Sequence, residues 1–131
     1  TFYRNYSCKE DILSEHFKDV LAQYKKDMGE KHGQGNYYDK KNIVHCFEYF
    51  YEQRTFLESV MKRGFNYIFL SMVDKYVMKT WWKRGDGQQK AYCLHAFAGA
   101  LYNLYISWAM NGYKETPEEM ADILESMKLA G

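Results

Sequence analysis

Apolar residues recur every three to four positions along most of this 131-residue chain, which is the spacing that places them on one side of an α-helix. The strict alternation of a half-buried β-strand occurs nowhere. The single proline, Pro117, leaves long stretches in which a helix can continue without interruption. The pattern therefore predicts an all-α fold without a sheet.

Five helices are predicted from this spacing together with the residues that start and stop helices. Ser7 with Glu10, and Thr116 with Glu119, form capping boxes, while Asp39 suits an N-cap and Gly112 a left-handed C-terminal cap. The predicted helices run from Cys8 to about Glu30, Lys40 to Arg63, Asn66 to Lys83, Gln88 to Asn111, and onward from Pro117.

Charge and cysteine content limit the class of protein. The 18 Lys and Arg residues nearly balance 17 Asp and Glu residues, so a contact with DNA would need a local basic patch. Cys8, Cys46 and Cys93 form an odd set without a CxxC motif. This favours a reduced, cytoplasmic setting over a disulfide framework.

The segment from Ala91 to Met110 carries no charged residue and is long enough to span a bilayer. It also contains His95, Asn103, Ser107 and several small residues. A helix that is apolar all round and rich in small residues is typical of the centre of a soluble helical domain. We therefore expect no membrane association.

No pair of side chains has the spacing of a metal site or a catalytic dyad. His45 and Cys46 are consecutive, and Cys93 and His95 are two residues apart, so neither pair shares one helix face. We expect no metal, no cofactor and no enzymatic activity. A helical enzyme or haem-binding bundle is the alternative, and an absorption band in the visible region would identify haem.

Two stretches resemble TetR-family (AcrR-like) transcriptional regulators. "TFYRNYSCKEDIL" is similar to the run in which the recognition helix of the DNA-binding domain ends and the connecting helix begins. "FAGALYNLYISWAMNGYKETPEEMADIL", residues 97–124, resembles the last two helices of the C-terminal domain in one branch of that family. Between these ends, only the number and length of helices agree.

The resemblance implies two parts. Residues 1–7 would be the remnant of an N-terminal helix-turn-helix domain, of which roughly 40 to 50 further residues lie upstream. Residues 8–131 would be the connecting helix with an effector-binding and dimerisation domain. Tyr6 would pack into the DNA-binding domain, and Lys9 would add a cation to the amides of a helix start. The residues implied to contact DNA are Thr1, Tyr3, Arg4, Asn5 and Lys9.

An effector pocket is implied between the helices of residues 40–110. The residues themselves support it, because bulky adaptable side chains with a few polar tips are typical of ligand pockets, although the same stripes also build ordinary cores. The candidate pocket residues are Phe47, Phe50, Tyr51, Arg54, Phe69, Met72, Tyr76, Tyr92, His95 and Tyr102.

Arg54 lies on the apolar side of its predicted helix, where an unpaired charge is costly. Three roles are open at this point. The guanidinium could pair with Glu58, reach solvent, or hold an anionic or carbonyl-bearing effector.

The last two helices carry more apolar surface than one chain of this size easily covers, and Ala96, Gly99 and Ala100 permit close approach of backbones. We expect a two-fold homodimer through a four-helix arrangement. The expected interface residues are Leu101, Leu104, Tyr105, Trp108, Met120, Ile123, Leu124 and Met127.

The sequence therefore predicts a cytoplasmic regulator, in the manner of a repressor that a small molecule releases from a palindromic operator. Effector binding would change the separation of two DNA-reading domains through the connecting helix. The alternative is a regulator-like domain that binds a protein partner instead of a small molecule, which a tightly packed interior without a cavity would favour.

Overall fold

The computed structural model describes residues 9–29 and 33–130, with side chains as far as residue 127. In these residues the chain forms six α-helices and no strand, which confirms the all-α prediction. The helices are α1 Lys9–Met28, α2 Lys40–Glu52, α3 Arg54–Lys62, α4 Asn66–Trp81, α5 Gln88–Met110 and α6 Pro117–Ala130. The predicted capping box at Ser7 lies outside the described residues.

The single helix predicted from Lys40 to Arg63 is wrong, because the chain breaks at Gln53 into α2 and α3. Gln53 has φ −93° and ψ 13°, and its amide bonds to the carbonyl of Tyr49. The Arg54 guanidinium donates to the Tyr51 carbonyl at 2.8 Å, which satisfies a group near the end of α2. No proline or glycine marks this break in the sequence.

The long helix α5 is the centre of the domain. Its buried residues follow a spacing of four and three, so they form one stripe along a single side: Leu94, Ala98, Leu101, Tyr105 and Trp108. The most extensive contacts join α5 to α4, while α6 packs on α2 and α1 packs on α4. Within the described residues, no helix is both long and apolar enough to cross a membrane.

Aromatic side chains fill the core between α2, α4 and α5. Phe50 meets Phe69 and Tyr105 with ring centroids 5.7 and 5.1 Å apart, and Phe47 meets Trp108 edge-on at 5.5 Å. Phe47 and Tyr105 are completely buried. Aromatic pairs in such geometries add roughly 0.5–1.5 kcal/mol each beyond the area that they bury.

The turn after α5 ends the helix as predicted at Gly112. This glycine has φ 78°, its amide bonds to the Ala109 carbonyl, and the amide of Tyr113 bonds to the Trp108 carbonyl, which together form a Schellman motif. Tyr113 itself has φ 56°, an uncommon value for a residue with a side chain. Its ring packs 5.0 Å from that of Trp108, and these contacts hold the unusual backbone in place.

A short chain of hydrogen bonds joins this turn to α3. The Tyr113 hydroxyl donates to the Glu58 carboxylate at 2.7 Å and lies 2.8 Å from the Tyr105 hydroxyl. Because Tyr113 gives its proton to Glu58, Tyr105 donates to Tyr113. Burial raises the pKa of Tyr105 to about 12, so its neutral form is favoured in the folded protein.

The capping box predicted at the start of α6 is confirmed. The Glu119 amide bonds to the Thr116 hydroxyl at 3.1 Å, and the Thr116 amide bonds to the Glu119 carboxylate at 2.9 Å. Pro117 occupies the first helical position, where its lack of an N–H has no cost.

Replacing the Thr116 hydroxyl gives the first test of this fold. Thr116→Ala is expected to lower the free energy of unfolding by about 1 kcal/mol, because the Glu119 amide loses its acceptor at an exposed helix end. Urea denaturation measures the difference. Thr116→Ser is the matched control and retains the wild-type value, whereas an equal loss in both variants would contradict the role of the hydroxyl.

The pH dependence of stability tests the buried tyrosine. The pKa of Tyr105 is about 12 in the folded chain and about 10 in the unfolded chain, so its contribution is complete below pH 10 and is lost as pH rises toward 12. Between those pH values, wild-type stability should fall by up to about 2 kcal/mol more than that of Tyr105→Phe. Parallel declines in urea titrations at pH 9.5, 11 and 12 would refute this account.

Candidate functional site

A cavity of about 70 Å³ lies between α1, α2, α4 and α5. At roughly 10–15 Å³ for each water, it holds a small ligand as it stands, and a larger one requires side chains to move. Its walls are mostly apolar or aromatic. The lining residues are Leu21, Tyr24, Met28, Gly33, Tyr37, Asn42, Ile43, Cys46, Tyr49, Phe50, Val73, Tyr76, Val77, Trp81, Phe97 and Leu101.

None of the described residues that line the cavity carries an ionised side chain at neutral pH. Burial raises the pKa of the Cys46 thiol to about 12, which makes it a poor nucleophile at pH 7. Burial also raises the pKa of Tyr24 and Tyr76, and for Tyr76 the neighbouring Thr80 hydroxyl partly opposes the shift. The site therefore offers neutral hydroxyls, a neutral thiol and aromatic faces to a ligand.

Helix α1 closes one side of this cavity and is fixed by two aromatic anchors seven residues apart. Phe17 is 3% exposed and packs against Phe56 and Phe69, with ring centroids 5.0 and 5.8 Å away. Tyr24 lies between Tyr49 of α2 and Tyr76 of α4, at 4.8 and 5.7 Å. Both anchors lie on the same side of α1, because seven residues make nearly two helical turns.

One hydrogen bond joins the backbone of α1 to α2. The Tyr49 hydroxyl donates to the Val20 carbonyl at 3.0 Å, and the Tyr49 ring also lines the cavity. A ligand that displaces this ring therefore acts directly on the position of α1.

The loop between α1 and α2 adds Gly33, Tyr37 and the start of α2 to the cavity wall. Asp39 stands at the predicted N-cap position, but its carboxylate accepts from the Asn36 amide at 2.9 Å instead of capping α2. Gly35 has φ 77°, and the Asp39 carboxylate lies where a Cβ on Gly35 would stand, so both geometry and space require glycine. The Asn42 amide bonds to two loop carbonyls and holds the loop in place.

A larger open groove of about 1010 Å³ lies on the other side of Tyr24 and Tyr49. It runs between the end of α1, the second half of α2 and the turn before α6. The lining residues are Tyr24, Asp27, Met28, His45, Glu48, Tyr49, Tyr51, Glu52, Trp108, Tyr113, Glu115 and Pro117.

Of the ten predicted pocket residues, Phe50 and Tyr76 line the cavity and Tyr51 lines the groove. For the others the structure does not support a place in the pocket. Phe47, Phe69 and Met72 are buried in the core, and Tyr102 packs on Phe69 with ring centroids 5.4 Å apart. The reason is that one apolar stripe on a helix serves both the core and the cavity, and spacing alone does not separate its two ends.

Tyr92 and His95 point away from the cavity. Tyr92 is 66% exposed. His95 is exposed as well, and its Nδ1 lies 2.6 Å from the Asp74 carboxylate, so it joins α5 to α4 at the surface.

Arg54 does not enter the cavity either. Besides its bond to the Tyr51 carbonyl, its guanidinium stacks on the Tyr51 ring, 3.9 Å from the centroid. The predicted pair with Glu58 is replaced by the bond between Glu58 and Tyr113. Arg54 therefore caps the end of α2, and the expected contact with an anionic effector has no support in this position.

The sequence did not identify the part of the pocket that α1 contributes. Leu21, Tyr24 and Met28 all stand on the apolar stripe of that helix, and this stripe was the signal available in the sequence. Tyr49 lies beside the apolar stripe of its helix, whereas Trp81 stands at the end of such a stripe, four residues after Val77, and spacing alone does not assign it to the pocket.

Five of the predicted interface residues are buried inside one chain and cannot offer surface to a partner: Leu101, Tyr105, Trp108, Met120 and Leu124. Their burial follows from the packing of α5 on α4 and of α6 on α2. Leu104 is half-buried, while Ile123 and Met127 are 43% and 57% exposed. The dimer itself stays a prediction.

The residues predicted to contact DNA lie at the start of the chain. Thr1, Tyr3, Arg4 and Asn5 are outside the described residues. Lys9 is the exposed first residue of α1, and its contact with phosphate stays a prediction. Among the described residues, no group of three or more His, Cys, Asp or Glu side chains is placed to hold a metal ion.

Comparison with known proteins gives one match. The model of a family described as transcriptional regulator C-terminal region, TetR_C_8, matches residues 39–128, from the N-cap of α2 into the last turns of α6. Searches of the curated proteins and of the solved structures found no match. The family match covers well over half of the chain, so this protein belongs to the TetR family of transcriptional regulators, whose C-terminal domain it contains.

Proposed function

We propose that this protein is a cytoplasmic, non-enzymatic repressor that binds a palindromic operator as a homodimer and is released by a small molecule. The observation that carries the proposal is the mostly apolar cavity beneath α1. A cavity favours a small-molecule effector over the alternative, a domain that only recruits a protein partner, because a recruiting domain needs no internal space.

The coupling between ligand and DNA rests on α1, which connects the sensing domain to whatever precedes residue 9. Leu21, Tyr24 and Met28 belong to this helix and also form the cavity wall. A ligand that needs more than about 70 Å³ must push this wall outward or move the Tyr49 ring from the Val20 carbonyl. Ligand binding thus selects a state in which α1 is displaced.

The Tyr49 hydroxyl provides a test of this coupling. In the full-length protein, Tyr49→Phe is expected to weaken binding to its own operator up to about fivefold without any ligand, because the docked state of α1 loses a hydrogen bond worth about 1 kcal/mol. Fluorescence anisotropy with operator DNA measures this change.

Tyr67→Phe is the control, since it removes a hydroxyl from an exposed tyrosine near the start of α4. Its operator affinity should equal that of the wild type. Unchanged affinity in Tyr49→Phe as well would show that docking of α1 does not control DNA binding.

Dimerisation is supported by the outward face of α5. This face consists of uncharged residues spaced three, four or seven positions apart, which keeps them on one side of the helix: Tyr92, Ala96, Gly99, Asn103 and Met110. Met110 is 81% exposed, and α6 adds the exposed Ile123 and Met127. These residues replace the buried members of the predicted interface in the proposal.

Gly99 allows a test that leaves the single chain intact. Gly99 is half-buried, and a Cβ at this position meets no atom within 4 Å, so a side chain can begin there without a clash. Gly99→Arg is expected to convert a micromolar solution from dimer to monomer, because it places a charge in the centre of a close helix contact. Light scattering after size-exclusion chromatography measures the mass.

Gly87→Arg is the matched control, because a Cβ there also meets nothing within 4 Å and the residue lies before α5. This variant should stay dimeric. Circular dichroism checks that Gly99→Arg keeps the helical content of the wild type. If this variant still forms dimers at the protein concentrations at which the wild type does, the proposed interface is wrong.

A further inference from the structure

The cavity and the larger groove share a wall. Of the described residues, Tyr24, Met28 and Tyr49 are the ones that line both spaces. We call these three side chains the shared wall. The rings of Tyr24 and Tyr49 lie 4.8 Å apart and are tilted against each other. A molecule that passes between them has one end in each compartment.

The two compartments differ in charge. Among the described residues, the cavity lining contains no Asp, Glu, Lys or Arg. The described groove lining contains four carboxylates, Asp27, Glu48, Glu52 and Glu115, and His45 as its one basic side chain. The His45 Nδ1 lies 3.4 Å from the Glu48 carboxylate, and the Arg54 guanidinium lies at the edge of the groove on the Tyr51 ring. A cation is therefore attracted to the groove and an anion is repelled.

The carboxylates act on the shared wall itself. The pKa of Tyr49 is raised first by burial and then by Asp27 and Glu52, and Glu48 adds a smaller increase to that of Tyr24. Negative charge is thus concentrated where the wall faces the groove. Both tyrosines remain neutral there, and the π face of a neutral ring attracts cations.

Aromatic rings continue along the groove beyond the wall. Tyr51, Trp108 and Tyr113 pack together, with Tyr113 centroids 5.2 Å from Tyr51 and 5.0 Å from Trp108. The Arg54 guanidinium already lies 3.9 Å from the Tyr51 ring centroid. This contact demonstrates that an aromatic side chain of the groove holds a planar cation.

The shared wall can open at small cost. Met28 is unbranched and is the last residue of α1, directly before Gly29, which has φ 55°. On the α1 side, Tyr49 is held by the hydrogen bond from its hydroxyl to the Val20 carbonyl. Movement of these two side chains joins the cavity to the groove without disturbing the aromatic core.

We propose that the effector is an amphipathic cation, with an unbranched apolar chain in the cavity and a protonated amine or quaternary ammonium group beside Asp27, Glu48 and Glu52. The proposal rests on the proposed function, since it names the chemical class of that effector. The small volume of the cavity, about 70 Å³, favours an alkyl chain over a wide ring system, and its neutral described lining leaves the charge outside it. Recognition therefore divides into an apolar part that provides affinity and an electrostatic part that provides selectivity.

Three probes with the same apolar chain test this division: octylamine, 1-octanol and octanoate. Isothermal titration calorimetry with the 131-residue protein at pH 7 and low salt is expected to show that octylamine binds more tightly than 1-octanol, on the order of tenfold. Octanoate is expected to bind most weakly of the three. The preference for octylamine should shrink in 0.5 M salt, because exposed charges are screened.

The triple variant Asp27→Asn, Glu48→Gln, Glu52→Gln is expected to bind octylamine and 1-octanol equally, with unchanged affinity for 1-octanol. The matched control is Glu15→Gln, Glu118→Gln, Glu125→Gln, which makes the same change in net charge at exposed carboxylates that do not line the groove. This control should retain the wild-type preference.

The outcomes separate the two proposals. If none of the probes binds, the cavity is not an effector site and the proposed function loses its main support. If 1-octanol or octanoate binds as tightly as octylamine, or if the preference survives the groove variant, the cavity binds ligands but the effector is not a cation. Loss of selectivity in the control variant would assign the preference to overall charge instead of the groove.

Discussion

The rest of the structure depends on the aromatic contacts between α2, α4 and α5. Phe50 meets both Phe69 and Tyr105, so three helices converge on one cluster of rings. The same cluster receives Phe17 of α1 through Phe69. Interiors of this kind are close-packed and transmit strain because they cannot deform continuously. One end of the domain is thereby rigid, and the free space lies at the other end, under the second half of α1.

Helix α1 therefore contacts both the close-packed aromatic core and the cavity. Phe17 is embedded among the core rings, whereas Tyr24 stands between the cavity and the groove nearly two helical turns further along. Under the proposed coupling, a displacement at Tyr24 is expected to rotate α1 about the anchor at Phe17 instead of translating the whole helix. The start of α1 would then move in the opposite sense to its end.

Much of the fold could be predicted from the sequence, because caps and apolar spacing are local signals. Thr116 and Gly112 show this, since each satisfies backbone groups within a few residues. The break at Gln53 could not be predicted in the same way. It depends on the Arg54 side chain reaching back to a carbonyl and on Glu58 bonding to Tyr113, 55 residues later. Arg54 could be identified as unusual, but its role is decided by partners that only the fold brings together.

The pocket shows the same limit. Phe50 and Phe47 stand three residues apart on one stripe of α2, yet Phe50 lines the cavity and Phe47 is completely buried. The difference is the partner that each ring meets, since Phe47 packs edge-on against Trp108 of α5, and hydrophobic spacing does not encode that contact. The family match identifies the C-terminal region of a transcriptional regulator, while the proposed chemistry of its effector rests on where four carboxylates lie relative to the shared wall.

The bond from Tyr49 to Val20 ends on a main-chain carbonyl, and this has a consequence for how the protein can be re-engineered. Because the acceptor is a main-chain carbonyl, the hydrogen bond does not depend on which side chain occupies position 20. Helix α1 can therefore be joined to a foreign segment upstream of Phe17, or substituted on its outer face, without altering the hydrogen bond from Tyr49. Under the proposed function, the domain is in that respect transferable, and chimeras are expected to keep its response to the effector as long as the two anchoring rings and the helix between them are kept.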